Sequence, residues 1–274
     1  MAVHGGVSLN PQMKAMFGVE VLVATPGRLL DLIDHNALSI SKISQLVVDE
    51  ADKMFQLGFD EEMNKLFKMM PVAKQTLLFS ATLNEKVEDI KKRLTINPTL
   101  VEVKAEEVNI DNITQLAYLV EPEQKGPFLR YLIKEQNIQQ ALVFASSTRN
   151  VDNLVEKLKK NKIPATAIHG KKSQGARSGN LKGFKEGEVK ILVATDLIGR
   201  GIQIDDLACV INYELPRSPL DYAHRIGRTG RANEKGTAIT ILTHDDLQHF
   251  RVIQKKMGKR VELIRTEDID LHGY

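Results

Sequence analysis

Apolar residues recur along this chain with two different periods. Alternating or continuous apolar runs read as strands at Val19–Ala24, Gln45–Asp49, Gln75–Ser80 and Thr99–Val103. Between them, spacings of three and four put Met63, Leu66, Phe67 and Met70 on one helix stripe. Val87, Ile90 and Leu94 form another, behind Asn84, whose side chain suits an N-cap. Residues 104–112 turn polar and read as a linker. The pattern then restarts, with strands at Gln115–Val120, Gln140–Ala145, Ala165–His169, Val189–Thr195, Cys209–Tyr213 and Gly236–Leu242. Phe128, Leu129, Leu132 and Ile133 make one helix stripe here, and Val151, Leu154, Val155 and Leu158 a second. Strands alternating with helices predict an α/β chain with parallel sheets covered on both faces. The polar break divides it into units at 1–103 and 113–266, followed by a short tail at 267–274.

Parallel sheets of this kind put ligands beyond the carboxyl ends of their strands. Asp49, Ser80, Thr195 and Asp196 fall at such ends. Composition narrows the chemistry further. Cys209 is the one cysteine, so an intrachain disulfide is excluded and a reducing, cytoplasmic setting is expected. It sits in the apolar run 207–211 and reads as a small buried hydrophobe. His169 has no second His or Cys at metal spacing and reads as structural or as a hydrogen bonder. Met63, Met69 and Met70 read as core, and Lys157, Lys159 and Lys160 as a solvated helix face. No apolar run approaches transmembrane length, and the first residues lack a signal-peptide shape. A net charge of +3 gives only weak support for a polyanionic partner.

Two stretches carry most of the chemistry. Residues 224–231 hold His224, Arg225, Arg228 and Arg231, with glycines between the arginines. The three-residue spacing predicts that the arginines lie near one another. Guanidinium forks onto phosphate oxygens, and charge building on a transferring phosphoryl group needs such a partner. The run Leu46-Val47-Val48-Asp49-Glu50-Ala51-Asp52 is an apolar strand ending in acids. A carboxylate there suits Mg²⁺ held through water, with its neighbour polarising the attacking water.

Asp49-Glu50-Ala51-Asp52 with Arg228 and Arg231 downstream resembles the DEAD-box ATP-dependent RNA helicases, of bacterial type. The other motifs agree in order. Gly5-Gly6 matches the family's double glycine, and Thr25-Pro26-Gly27-Arg28 its first-domain RNA contact. Ser80-Ala81-Thr82 matches the segment coupling hydrolysis to strand separation. Leu142-Val143-Phe144-Ala145 begins the second domain's first block. His169-Gly170 with Gln174 and Arg177 matches a further RNA block. Ala194-Thr195-Asp196 with Arg200-Gly201 matches the motif touching RNA and nucleotide, and Val210–Tyr213 leads into the arginine helix. The resemblance implies two RecA-like α/β units, with ATP and Mg²⁺ as ligands and RNA as partner. Asp49 would serve the Mg²⁺ water, Glu50 the attacking water, and Arg228 and Arg231 the γ-phosphate. Asp52, Ser80, Thr82, Gly201, Gln203 and His224 would bind nucleotide or couple the units. Gly5, Gly6, Thr25, Pro26, Gly27, Arg28, Gly170, Gln174, Arg177 and Thr195 would meet RNA, with Arg28 and Arg177 lending charge to its phosphates. Few aromatics and no Trp favour backbone contacts with little sequence preference.

The chain departs from the family pattern in places. Gln203 stands where the family has an aspartate facing the nucleotide ribose, and Gly199 where it has a small alanine or serine. No Gly-x-x-x-x-Gly-Lys-Ser/Thr run appears, nor the family's glutamine segment or the RNA motif after the P-loop. These would precede Gly5-Gly6. The expectation is therefore a truncated helicase: an incomplete first domain in 1–103, then a complete second domain. Hydrolysis by this chain alone would be negligible and the front part loose. The alternatives are a non-hydrolytic RNA-binding module built on the second unit, and a DNA helicase of the wider superfamily.

Overall fold

A computed structural model describes residues 1–56, 58–103, 112–196, 204, 207–230 and 235–274. Most of the expected linker, and the motif residues Gly199, Arg200, Gly201, Gln203 and Arg231, lie outside the described residues. The chain forms two compact units, Met1–Glu102 and Val103–Tyr274.

In the first unit, β1 (Ala2–Val3) pairs in parallel with β2 (Val23–Ala24), and β3 (Gln45–Val48) with β4 (Gln75–Leu78). Five helices surround them: α1 (Leu9–Lys14), α2 (Pro26–Asp34), α3 (Ala51–Gln56), α4 (Asp60–Met69) and α5 (Glu85–Leu94). The stripes read from sequence supply the core: Met63 and Leu66 of α4 and Val87, Ile90 and Leu94 of α5 pack with Leu30, Ile40, Val48 and Ala51. Asn84 caps α5, accepting the Val87 N–H at 3.0 Å. Glu85 and Glu88 sit in its first turn and Lys91, Lys92 and Arg93 in its last, each sign opposing the helix dipole.

The expected strand at Thr99–Val103 does not form. Leu100, Val101 and Val103 are exposed, with no neighbouring strand among the described residues to take their ladder bonds. One face of the β3–β4 pair is also open. Val47 and its register partner Leu77 are 57% and 45% exposed, and Phe79, two residues on, 54%. A two-stranded sheet with one apolar face uncovered is marginal by itself.

The second unit is built on seven parallel strands: β5 (Ile113–Leu119), β6 (Ala141–Phe144), β7 (Ala165–Ile168), β8 (Ile191–Ala194), β9 (Cys209–Asn212), β10 (Gly236–Leu242) and β11 (Leu263–Arg265). Their order is β11-β5-β10-β9-β6-β8-β7. β11 has no counterpart in the sequence reading, because three residues are too short a run for a period. The helices are α6 (Lys125–Glu135), α7 (Thr148–Lys160), α8 (Gln174–Lys185), α9 (Pro219–Ile226) and α10 (Leu247–Met257). Alternate strand residues go to opposite faces. Ala141, Val143 and Ala145 meet the α6 and α7 stripes, while Leu142 and Phe144 meet Phe184 of α8 with Ile204 and Leu207. Further along that second face, Ala238 and Leu242 pack with Tyr222 and Ile226 of α9 and Phe250 and Ile253 of α10. Each fully buried Phe or Leu contributes about 1.5–3 kcal/mol, so the double-sided core dominates this unit's stability. Residues 267–274, read as a tail, are packed. Ile269 and Leu271 join the α6 cluster, and the Tyr131 and Tyr274 rings meet edge-on at 5.3 Å. No helix among the described residues is long and apolar enough to cross a membrane.

Two outcomes are expected. Limited proteolysis should digest the first unit while the second persists, given the open sheet face; equal resistance of both would refute this. Gly230 has φ +69°, and a Cβ there would stand 2.6 Å from Ile113 Cγ1. Gly230→Ala should therefore cost about 1–3 kcal/mol, measured as a lower urea midpoint for the second unit.

Candidate functional site

At the end of β3 the chain turns through Asp49 and Glu50 into α3. Glu50 sits at φ +49°, a left-handed conformation uncommon for a side-chain-bearing residue. Its N–H donates to Asp49 Oδ1 at 2.8 Å, which steadies the turn. The Ala51 N–H donates to the Phe79 carbonyl at 3.0 Å, and the Phe79 N–H to the Val48 carbonyl at 2.8 Å. These bonds hold the acidic turn against the end of β4. Asp49 and Glu50 both face solvent.

Asp52 has the opposite environment. It is 1% exposed, and its two carboxylate oxygens lie 3.2 Å from Ser80 Oγ and 3.4 Å from Thr82 Oγ1. Ser80 Oγ also lies 2.7 Å from the Thr82 carbonyl, and its single proton serves one acceptor at a time. Asp52 is thus a joint between the Asp-Glu-Ala-Asp turn and the Ser-Ala-Thr segment. Five of the expected residues, Asp49, Glu50, Asp52, Ser80 and Thr82, are brought together in this unit.

The two expected RNA motifs of the first unit also emerge side by side. Val3 pairs with Ala24, so Gly5-Gly6 and Thr25-Pro26-Gly27 follow neighbouring strands. Gly6 takes φ +77°, and nothing stands within 4 Å of a Cβ placed on Gly5, Gly6 or Gly27. Thr25 is the exposed N-cap residue of α2 and Pro26 its first turn. Arg28 corrects the sequence reading. Its guanidinium is not offered outward; it is 7% exposed and donates through Nη2 to the Val7 carbonyl at 2.8 Å. It braces α2 against the loop that follows the double glycine.

In the second unit the arginines separate by environment. Arg225 of α9 is 2% exposed and forks onto Asp196, with Nη2 2.8 Å from Oδ2 and Nε bonded to Oδ1. Its Nη1 donates to Asn212 Oδ1 at 3.0 Å and to the Glu214 carbonyl at 2.6 Å. Its guanidinium lies 4.8 Å over the Phe144 ring. The polar chain continues from Asn212 to Thr240 and Tyr222, whose phenol burial pushes up to about 12. The equal spacing of the arginines does not make them equivalent: Arg225 is committed inside the unit. Arg228 and His224 are half-buried at the same end of α9. Asn212, Asp196 and Glu214 as partners of Arg225 carried no sequence signal, since they come from the ends of two different strands, β8 and β9.

The second unit's expected RNA residues share the carboxyl edge of neighbouring strands. His169 and Gly170 follow β7, and Thr195 follows β8, its register neighbour. Gly170 and Gln174 are exposed, Arg177 is half-buried and Thr195 is buried. Ser173 caps α8 by accepting the Ala176 N–H at 3.3 Å. His169 is buried, with Nε2 3.0 Å from Asp152 Oδ1, and Lys172 Nζ lies 2.8 Å from the same oxygen. Asp152 of α7 therefore clasps the turn leading into Gln174 and Arg177. Desolvation works against its charge, but Lys172 and His169 beside it hold its carboxyl below the ordinary value. Burial pushes the Cys209 thiol up to about 12, which removes it as a nucleophile.

Arg225→Met should destabilise the second unit by roughly 3 kcal/mol, the low end for breaking a buried pair because Asp196 keeps some solvent, seen in urea unfolding. For Asp152, a depressed folded pKa means stabilisation that is complete above the unfolded value and lost as pH falls through the folded one. Urea midpoints taken from neutral to acid pH should fall in that window, and Asp152→Asn should flatten that part of the curve. A variant curve matching the native one would remove the clasp from the account.

The comparisons with known proteins agree with this geometry. Residues 1–90 match the DEAD/DEAH box helicase model, and residues 124–233 the helicase conserved C-terminal domain. The chain is 36% identical over 271 residues to the DEAD-box ATP-dependent RNA helicase CshA of Geobacillus kaustophilus, covering 98% of this chain and 58% of that protein. It is 37% identical to the ATP-dependent RNA helicase RhlB of Pseudomonas syringae pv. tomato, covering 95% of this chain and 67% of that one. The structure of S. cerevisiae Dbp5 bound to RNA and ADP BeF3 superposes with a TM-score of 0.82 at 30% identity, covering 98% of this chain and 70% of that one. The chain thus spans little more than half the length of the CshA relative. One expectation is corrected: the first unit is not a motif-lacking remnant, because the DEAD/DEAH box model matches it from residue 1 to residue 90. Both α/β units are RecA-like, the first with its strands split between two small sheets. The acidic turn, its Ser-Ala-Thr partner and the arginine helix all lie on the matched stretches, and the chain belongs to the DEAD-box family of ATP-dependent RNA helicases.

Proposed function

We propose that this chain binds RNA through backbone contacts and couples ATP hydrolysis to local opening of RNA duplexes. The observation that carries the proposal is the Asp52 joint. It holds two exposed acids at the end of β3 and ties them to Ser80 and Thr82 in the segment that follows β4. In this reading Glu50 orients the attacking water, and Arg228 and Arg231 meet charge developing on the γ-phosphoryl group of ATP. Gly201 and Gln203 face the nucleotide, and Ser80, Thr82 and His224 couple the units.

The residues fit Mg²⁺ as the accompanying ion. Among the described residues no group of three or more metal-ligating side chains forms a cage. Asp49 offers one exposed carboxylate, and Mg²⁺ commonly takes one or two carboxylates with waters and substrate phosphates. Bound there, the ion would neutralise phosphate charge.

For RNA, Gly5, Gly6, Thr25, Pro26 and Gly27 give an open, hydroxyl- and amide-bearing edge on the first unit. Gly170, Gln174, Arg177 and Thr195 give one on the second, with Arg28 and Asp152 as supports. The RNA-bound state of Dbp5 supports this assignment. A reducing compartment such as the cytoplasm suits the single buried thiol.

A second reading is RNA binding by the second unit without hydrolysis. The double-sided core of that unit, against the open sheet face of the first, favours it. Phosphate release with and without RNA separates the two. Coupled activity predicts RNA-stimulated release, reduced about 10²–10⁴-fold by Glu50→Gln. RNA binding that is indifferent to ATP analogues, with no release, would replace the first reading by the second.

A further inference from the structure

Positive charge gathers in one stretch outside the motifs. Residues 247–265 hold Arg251, Lys255, Lys256, Lys259, Arg260 and Arg265 against the single acid Glu262, a local +5 in a chain whose total is +3. The remainder, including every residue assigned to RNA above, is net acidic. Cations in the last turn of α10 oppose the helix dipole, which accounts for Lys255 and Lys256. It does not account for Arg251, a turn earlier, or for Lys259 and Arg260, beyond the helix.

The fold gathers these side chains round one groove. α10 ends on Gly258 at φ +65°, and the chain doubles back toward β11. The Val261 N–H donates to Gln254 Oε1 at 2.7 Å, which fixes the returning strand beside the helix. The groove between them has a volume of about 1090 Å³. Buried Phe250 and Val261 form its floor, and Arg251, Lys255, Lys259 and Arg260, with the single acid Glu262, its rim. Arg251 and Lys255 stand one turn apart on the same helix face. Arg251, Lys255 and Arg260 are exposed. The one aromatic ring here is in the floor, so the groove offers cations without a base-stacking platform.

We propose that this groove is a second RNA contact, holding the phosphodiester backbone of a single strand without regard to sequence. The proposal rests on the RNA reading above, and charge complementarity selects the occupant. A strand held here stays attached to the second unit while the motif residues exchange their own contacts.

The test is the salt dependence of binding of a fluorescein-labelled oligouridine to the full chain, read by anisotropy. A variant carrying Arg251→Ala, Lys255→Ala and Arg260→Ala changes only exposed side chains, and circular dichroism checks its fold. Three phosphate contacts to a single strand predict a log–log salt slope shallower by about 2, with affinity at low salt weaker by roughly tenfold. Oligoadenosine should show the same loss. An unchanged slope, with native binding intact, overturns the groove and leaves the RNA reading standing. Failure of the native chain to bind either RNA overturns both. If the variant keeps its RNA slope but no longer binds poly-glutamate, the groove serves an acidic polypeptide and the proposal fails.

Discussion

The fork between Arg225 and Asp196 is the interaction that organises the second unit's working edge. A guanidinium is always charged, so burying it is costly unless each of its donors finds an acceptor. Asp196 follows β8, Asn212 ends β9, and the Glu214 carbonyl lies just beyond. One arginine from α9 therefore ties the ends of β8 and β9 together and packs over Phe144 at the end of β6. Arg228, one turn on, inherits its position from this anchor. The role proposed for Arg228 therefore leans on an arginine that is itself committed to the fold.

The first unit repeats the logic with a carboxylate. Asp49 and Asp52 are three residues apart, yet one is exposed and the other buried. The strand-to-helix turn between them, set by Glu50 at positive φ, accounts for the difference. Asp52 is engaged by Ser80, Thr82 and the Lys53 ammonium, which leaves Asp49 and Glu50 as the acids open to a ligand. Asp152 plays a comparable supporting part beside Gly170 and Gln174. In all three places a paired charge fixes a turn, buried at Arg225 and Asp52 and exposed at Asp152.

Much of this could be read in advance. The stripes at 63–70, 87–94, 128–133 and 151–158 all became core faces, with Phe67 and Met70 only partly buried, because helical spacing by itself puts those residues on one side. Asn84 capped α5 as its side chain suggested, and Cys209 was buried as its apolar run required. Thr99–Val103 failed as a strand although its residues favour one. A strand needs a partner for its ladder, and none lies alongside among the described residues. β11 formed from three residues because β5 offered an open edge, which no local pattern announces.

The order and chemistry of the motifs, the alternation of strand and helix, and the apolar faces were determined by the sequence alone, since each depends on residue types at short separations. The fates of Arg28, Arg225, Asp52 and Asp152 were decided only by the tertiary structure. Each is a charged residue held by partners on other elements of the fold. The grouping of basic side chains round the α10–β11 groove is of the same kind. Burial and pairing of charge depend on which strand ends the fold brings to one edge, and that is a property of the assembled sheet.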